Sequence, residues 1–188
     1  MEDIRQTTRQ ISLILSVLRS STIPIEGRTA IQKIVYFVSV KSSLDLGYRR
    51  HFYGPYSSVV ASHLGNLVSM GYVAERQRLT TQNRTIYSYS LTRDGQKLLR
   101  SIGKGQEKDY PAIRDVVGKC RRIARNNINT LSCAAKVYFL LSQRMKKATY
   151  QEVMRMARRS GWELCPEEID SGAKLLSTLG LVQKSNVG

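Results

Sequence analysis

Residues 57–102 carry a pattern that few folds accommodate. A helix-length run, SSVVASHLGNLVSM, stops at Gly71. A β-rich stretch, YVAERQRL, follows, then the polar tip TTQN and a second β-rich stretch, RTIYSYSL. The run closes with LTRDGQKLLRSIG, a short helix opened by Thr92 and Asp94. Helix, basic hairpin and short helix in that order predict the end of a winged-helix domain, with the wing hairpin over 73–91.

The upstream residues supply the rest of such a domain. Ile11, Ile14, Leu15 and Leu18 recur on one face of a helix over roughly 3–19. SSTIPIEG interrupts it, with Pro24 and Gly27 as breakers. From Arg28, the spacing of Ala30, Ile31, Ile34, Val35, Phe37 and Val38 predicts a second helix to about Ser42. GYRRHFYGPY reads as aromatic and extended, turned at Gly54–Pro55. Ser57 or Ser58 is placed to cap the third helix, whose buried face is Val60, Leu64, Leu67 and Val68. Three helices and a two-stranded wing give one domain over 1–103.

The polar, turn-rich GKGQEKD marks a linker, 104–110, and a second domain spans 111–188. Pro111 suits the first turn of a long helix, with Ile113, Val116, Val117, Cys120, Ile123 and Ala124 inward. Arg114, Arg121, Arg122 and Arg125 fall on its other side. Further helices are expected from about Leu131 to Gln143, after Thr149 and from Pro166. LVSMGYV (67–73) and LSTLGLV (176–182) form a weak internal repeat, each with a Gly able to turn a helix end in the left-handed conformation. With the shared helix order, the repeat predicts a second winged-helix-like unit whose wing is cut off at Gly188. An unrelated helical tail is the alternative. The expected fold class is mostly α with a small β wing: two tandem winged helix-turn-helix units.

Charge then narrows the partner. Thirty Lys and Arg stand against fourteen Asp and Glu, a formal net charge of +16. Such a surface suits a polyanion, because each neutralised phosphate releases counterions. A merely soluble or ribosomal basic protein would share the composition. No run of about 18 apolar residues exists to span a membrane, and Met1 is followed by Glu2 and Asp3 rather than a basic leader. Cys120, Cys133 and Cys165 are odd in number and widely spaced, which fits buried thiols in a cytoplasmic, nucleoid-associated protein. Without CxxC or HxxxH spacing, neither a metal nor a cofactor is expected. His51 and His63 have no evident nucleophile partner, and GRTAIQKI lacks phosphate-loop spacing, so no enzymatic activity is expected.

Candidate DNA contacts fall into three groups. The third helix offers Ser57, Ser58, Ser62, His63 and Asn66, whose hydroxyls and amides can meet base edges or phosphates. It contains no Arg or Lys, so a plain solvated face is an equal reading. Around it lie Arg49 and Arg50, and on the hairpin Arg76, Arg78, Gln82, Asn83 and Arg84. A basic wing can sit on phosphates or enter the minor groove, although strand arginines also guard against edge pairing and Gln82–Asn83 can simply make the turn. In the second domain, Arg121, Arg122, Arg125, Lys146, Lys147, Arg155, Arg158 and Arg159 belong to a stretch, 114–159, with twelve Lys or Arg against Asp115 and Glu152. Its last helix opens with Glu167, Glu168 and Asp170, which favour the helix dipole and repel phosphate. That unit is expected to bind the DNA backbone, to form a homodimer contact, or both.

GRTAIQKIVYFV (27–38) with FYGPYSSVVASHLGNLVSMGYV (52–73) resembles the YwgA-like family of bacterial and archaeal winged-helix proteins. The likeness continues through LTRDG into LSCAAKVYFLLS and departs at Ala30, where a basic residue is more usual. The pairing of Gln32-Lys33, Tyr36 and Tyr-Gly-Pro is also similar to the Panacea domain of many antitoxins. Gln32, Lys33, Tyr36, Tyr53 and Tyr56 read as a structural cluster under the turn. The expected function is a duplex-DNA-binding transcriptional regulator. A Panacea-like adaptor for a protein partner and an architectural DNA-binding protein are the alternatives.

Overall fold

A computed structural model describes residues 2–103, 109–143 and 148–182, except for the side chains of 2 and 124–126. Lys146, Lys147, most of the 104–110 linker and everything past 182 lie outside the described residues. The chain is mostly helical, with a small three-stranded antiparallel sheet. Two compact units are formed by 1–47 with 57–118, and by 48–56 with 119–188. The division falls inside a helix, after Gly118.

In the first unit the order is α1 (Glu2–Ser20), β1 (Ile25–Glu26), α2 (Arg28–Lys41), α3 (Ser58–Ser69), β2 (Val73–Leu79), β3 (Thr85–Leu91) and α4 (Arg93–Ile102). α5 (Tyr110–Asn126) begins here and runs on into the second unit. The core is built from Ile14, Leu15 and Leu18 of α1, Val60, Leu64 and Leu67 of α3, and Val73 and Tyr89 of the sheet. α2 is buried on every face from Ala30 to Ser39. That burial includes Gln32, Lys33 and Ser39, polar residues that an amphipathic pattern would send to solvent.

The expected two-stranded wing is part of a three-stranded sheet, ordered β1-β3-β2. Ile25 pairs with Tyr89 and Glu26 with Ser88, and Gly27 N–H adds a bond to Tyr87 O at 2.7 Å. Two residues are too few to show a strand period, so SSTIPIEG looks like a plain break in the sequence. The LTRDG motif locks the hairpin to α4. Thr92 Oγ1 accepts from Gly95 N at 3.0 Å and donates toward Gly71 O and Tyr72 O at 2.8 and 3.0 Å.

The second unit holds the end of α5, then α6 (Ile128–Leu141), α7 (Tyr150–Arg159) and α8 (Pro166–Thr178). Thr149 and Glu152 form a reciprocal capping box on α7. α6 and α8 cross closely at Gly172, where a Cβ would lie 3.1 Å from Ala134 Cα. The repeat is visible at the ends of α3 and α8. Gly71 and Gly180 both have positive φ, and Tyr72 N–H and Leu181 N–H reach back to Leu67 O and Leu176 O, each at 2.9 Å. α7 ends the same way at Gly161, with Trp162 N–H on Ala157 O.

Candidate nucleic-acid interface

The hairpin presents its arginines by strand alternation. β2 and β3 pair from Val73↔Leu91 to Leu79↔Thr85, with Arg76 opposite Ser88 and Arg78 opposite Ile86. Side chains two apart share a face, so Arg76 and Arg78 point together, away from the face of buried Val73 and Tyr89. Both are exposed. Arg78 lies 3.7 Å from Glu26, but both partners are well solvated and the pair holds it weakly. At the tip, Thr80 N–H bonds Arg84 O, Asn83 N–H bonds Thr80 O, and Arg84 N–H bonds Thr80 Oγ1. Asn83 takes φ 57, a conformation asparagine tolerates. It therefore makes the turn, and Gln82, Asn83 and Arg84 all stay exposed.

Arg28 shows what a structural arginine looks like in the same unit. Its Nε donates to Tyr89 Oη at 3.2 Å, its guanidinium sits 3.7 Å from the Tyr87 ring centroid, and Glu75 is 4.0 Å away. Burial pushes the Tyr89 hydroxyl up to about 12, with a hydrogen bond to Glu75 adding to the rise. The arginine of the GRT motif thus ties α2 to the sheet.

On α3 the candidates separate. Ser58, Ser62 and Asn66 are exposed. Ser57 is not a surface residue: it is fully buried, its Oγ accepts from Val60 N at 3.0 Å, and it donates to Leu46 O. Its backbone also exchanges two bonds with the Gln32 amide, at 3.0 and 3.1 Å. This pairing accounts for a Gln on buried α2 opposite the Tyr-Gly-Pro-Tyr-Ser turn. His63 is half-buried and bonded to Gln10 Oε1 at 3.0 Å. Burial holds its imidazole below the ordinary 6.5, so it stays neutral at pH 7. The unfolded chain takes up that proton first, so stability falls as pH drops through about 6.5. Replacing His63 with Gln should flatten that acid-side decline in unfolding titrations; an unchanged pH profile would remove His63 as its source.

In the second unit Arg49, Arg50, Arg122, Arg155, Arg158 and Arg159 are exposed, and Arg121 is half-buried. The side chain of Arg125 lies outside the described set. Arg49 and Tyr56 form a two-residue antiparallel bridge that closes loop 48–56. Trp162 Nε1 donates to His51 O at 2.8 Å, and Arg50 to Arg159 O at 3.3 Å. Tyr53, expected as cover beneath the turn, is instead 61% exposed, and Phe52 is 73% exposed. α8 opens on Glu167 and Glu168, the latter accepting from Cys165 N at 3.0 Å.

Burial raises the Cys120 and Cys133 thiols to about 12 and about 11, so both are poor nucleophiles. Cys165, expected in the core, is exposed at the start of α8 because it occupies the N-cap position. Among the described residues no group of His, Cys, Asp and Glu is arranged to hold a metal ion, and no helix is long and apolar enough to cross a membrane. No protein-family model and no curated protein matches the chain.

Proposed function

We propose that this protein is a winged-helix DNA-binding protein, acting at the chromosome in the cytoplasm as a transcriptional regulator. The observation that carries the reading is the exposed arginine series Arg76, Arg78 and Arg84 on a pinned hairpin, in a chain of net charge +16. The order α1-β1-α2-α3-β2-β3, with the sheet arranged β1-β3-β2, supports a winged helix in the first unit. The repeat of LVSMGYV (67–73) in LSTLGLV (176–182) favours a related second unit. Kinship with the YwgA-like family rests on the GRTAIQK and Tyr-Gly-Pro-Tyr-Ser motifs, whose Gln32 and Ser57 interlock.

In this reading the hairpin arginines contact phosphates or the minor groove, and the exposed arginines of the second unit provide a separate backbone-binding surface. α3 has no basic side chain, so base readout falls to Ser58, Ser62 and Asn66. Phosphate contacts then dominate the affinity. Replacing Arg76, Arg78 and Arg84 with alanine should weaken duplex binding and lower the salt slope, log K against log salt, by about 2 to 3. Arg78 should contribute least, because Glu26 already sits near it. An unchanged affinity and slope by fluorescence anisotropy would remove the hairpin from the interface.

A further inference from the structure

Loop 48–56 carries a feature that duplex binding leaves unused. Phe52 and Tyr53, at its tip, are 73% and 61% exposed, with ring centroids 4.9 Å apart and planes at 87°. Large rings in water are unfavourable unless something covers them. The loop is also held firmly. Arg49 and Tyr56 exchange two backbone bonds of 2.9 Å, Gly54 N–H bonds His51 O, and the His51 ring lies 5.0 Å from that of Tyr56. Below them, buried Trp162 donates to His51 O. Gly54 takes φ 97, and both Gly54 and Pro55 are buried. A fixed frame therefore presents two aromatic rings outward.

Several arginines adjoin the loop, with Glu152 beside Arg155 and Arg159 on α7. Arg49 and Arg50 precede them with only His51 between, and Arg50 bonds Arg159 O at the C-terminal end of α7, where Arg158 and Arg159 are exposed. Exposed aromatics among guanidinium groups match one polymer chemistry well: phosphates to meet the arginines and base faces to stack on the rings. An intact duplex offers only base edges, because its base faces are already stacked. We propose that loop 48–56 is a stacking site for unpaired DNA bases, with Phe52 and Tyr53 as the platform and Arg49, Arg50, Arg158 and Arg159 as its phosphate contacts. The choice of DNA rests on the proposed function above; the stacking surface itself uses no hairpin residue.

The test uses the full chain and two probes at one salt concentration, a short oligo(dT) and a duplex of the same length, read by fluorescence anisotropy. Phe52→Ala with Tyr53→Ala should weaken oligo(dT) binding about 10-fold or more while leaving duplex affinity within about 2-fold. Phe52→Trp with Tyr53→Trp should restore it, since a larger ring keeps the platform. The hairpin triple-alanine variant should show the opposite bias. Equal loss on both probes, or no loss on oligo(dT), overturns the inference. So does tighter binding of oligo(rU), or ring-dependent binding to vesicles containing phosphatidylserine but not to oligo(dT). Ring-dependent oligo(dT) binding without any duplex binding upholds the stacking site and refutes the duplex reading. Hairpin-dependent duplex binding with ring-independent oligo(dT) binding does the reverse.

Discussion

Gly95→Ala should destabilise the first unit by about 3 kcal/mol, the upper range for forcing a methyl into packed structure. A Cβ built at Gly95 lies 2.1 Å from Tyr72 O and 2.7 Å from Leu91 Cδ1. The first of these atoms is backbone and cannot swing aside. It is also the carbonyl that accepts from Thr92 N and Thr92 Oγ1, so moving it breaks the lock between hairpin and α4. Gly65 is the control. It is exposed on α3 with nothing within 4 Å of its built Cβ. Gly65→Ala should stabilise by about 0.5 to 1 kcal/mol through helix propensity alone. Denaturant unfolding followed by circular dichroism measures both. Similar effects at the two positions would mean that α4 does not approach Tyr72 as closely as described.

Trp162→Ala should cost the second unit about 3 to 5 kcal/mol, the usual penalty for removing a large buried aromatic. Trp162 is 2% exposed, has its ring centroid 5.9 Å from that of Phe139 with the planes at 71°, and holds loop 48–56 through its bond to His51 O. Trp162→Phe separates the two roles. It keeps an aromatic ring but removes the donor, and should cost about 0.5 to 1.5 kcal/mol for the one lost bond, since His51 O keeps its bond from Gly54 N–H. The loop should then become more accessible to protease near His51, with little change in the hairpin. As Trp162 is the chain's one tryptophan, unfolding must be followed by circular dichroism in both variants. A cost below about 1 kcal/mol for Trp162→Ala would contradict its place in the core.

How much of this was legible in the residues depends on the range of the interaction. The hairpin, the cap at Thr92 and the capping box at Thr149 with Glu152 are local, and their side chains announce them within a few positions. The glycine turns at Gly71 and Gly180 are equally local. β1 carries no local signal, because its partner, Tyr89, is far along the chain and the strand itself is two residues long. Ser57 is a hydroxyl at a helix start in sequence. Only the fold shows that Gln32 and Leu46 occupy its polar groups. Loop 48–56 belongs with the second unit because Trp162, 111 residues later, bonds His51, and no local pattern encodes that. Among candidate contacts, Arg76, Arg78 and Arg84 could be read from charge on a hairpin. The exposure of Phe52 and Tyr53 could not, because aromatic residues beside Gly-Pro suit a packed turn as well as a projecting one.

Duplex binding through arginine–phosphate contacts, as proposed above, fixes how the affinity of the 188-residue chain for a random-sequence duplex varies across a series of salt concentrations. The expected result is a straight line of log K against log salt with a slope of about −4 or steeper, as for several neutralised phosphates. No measurable binding at low salt, or affinity that does not change with salt, would contradict the claim.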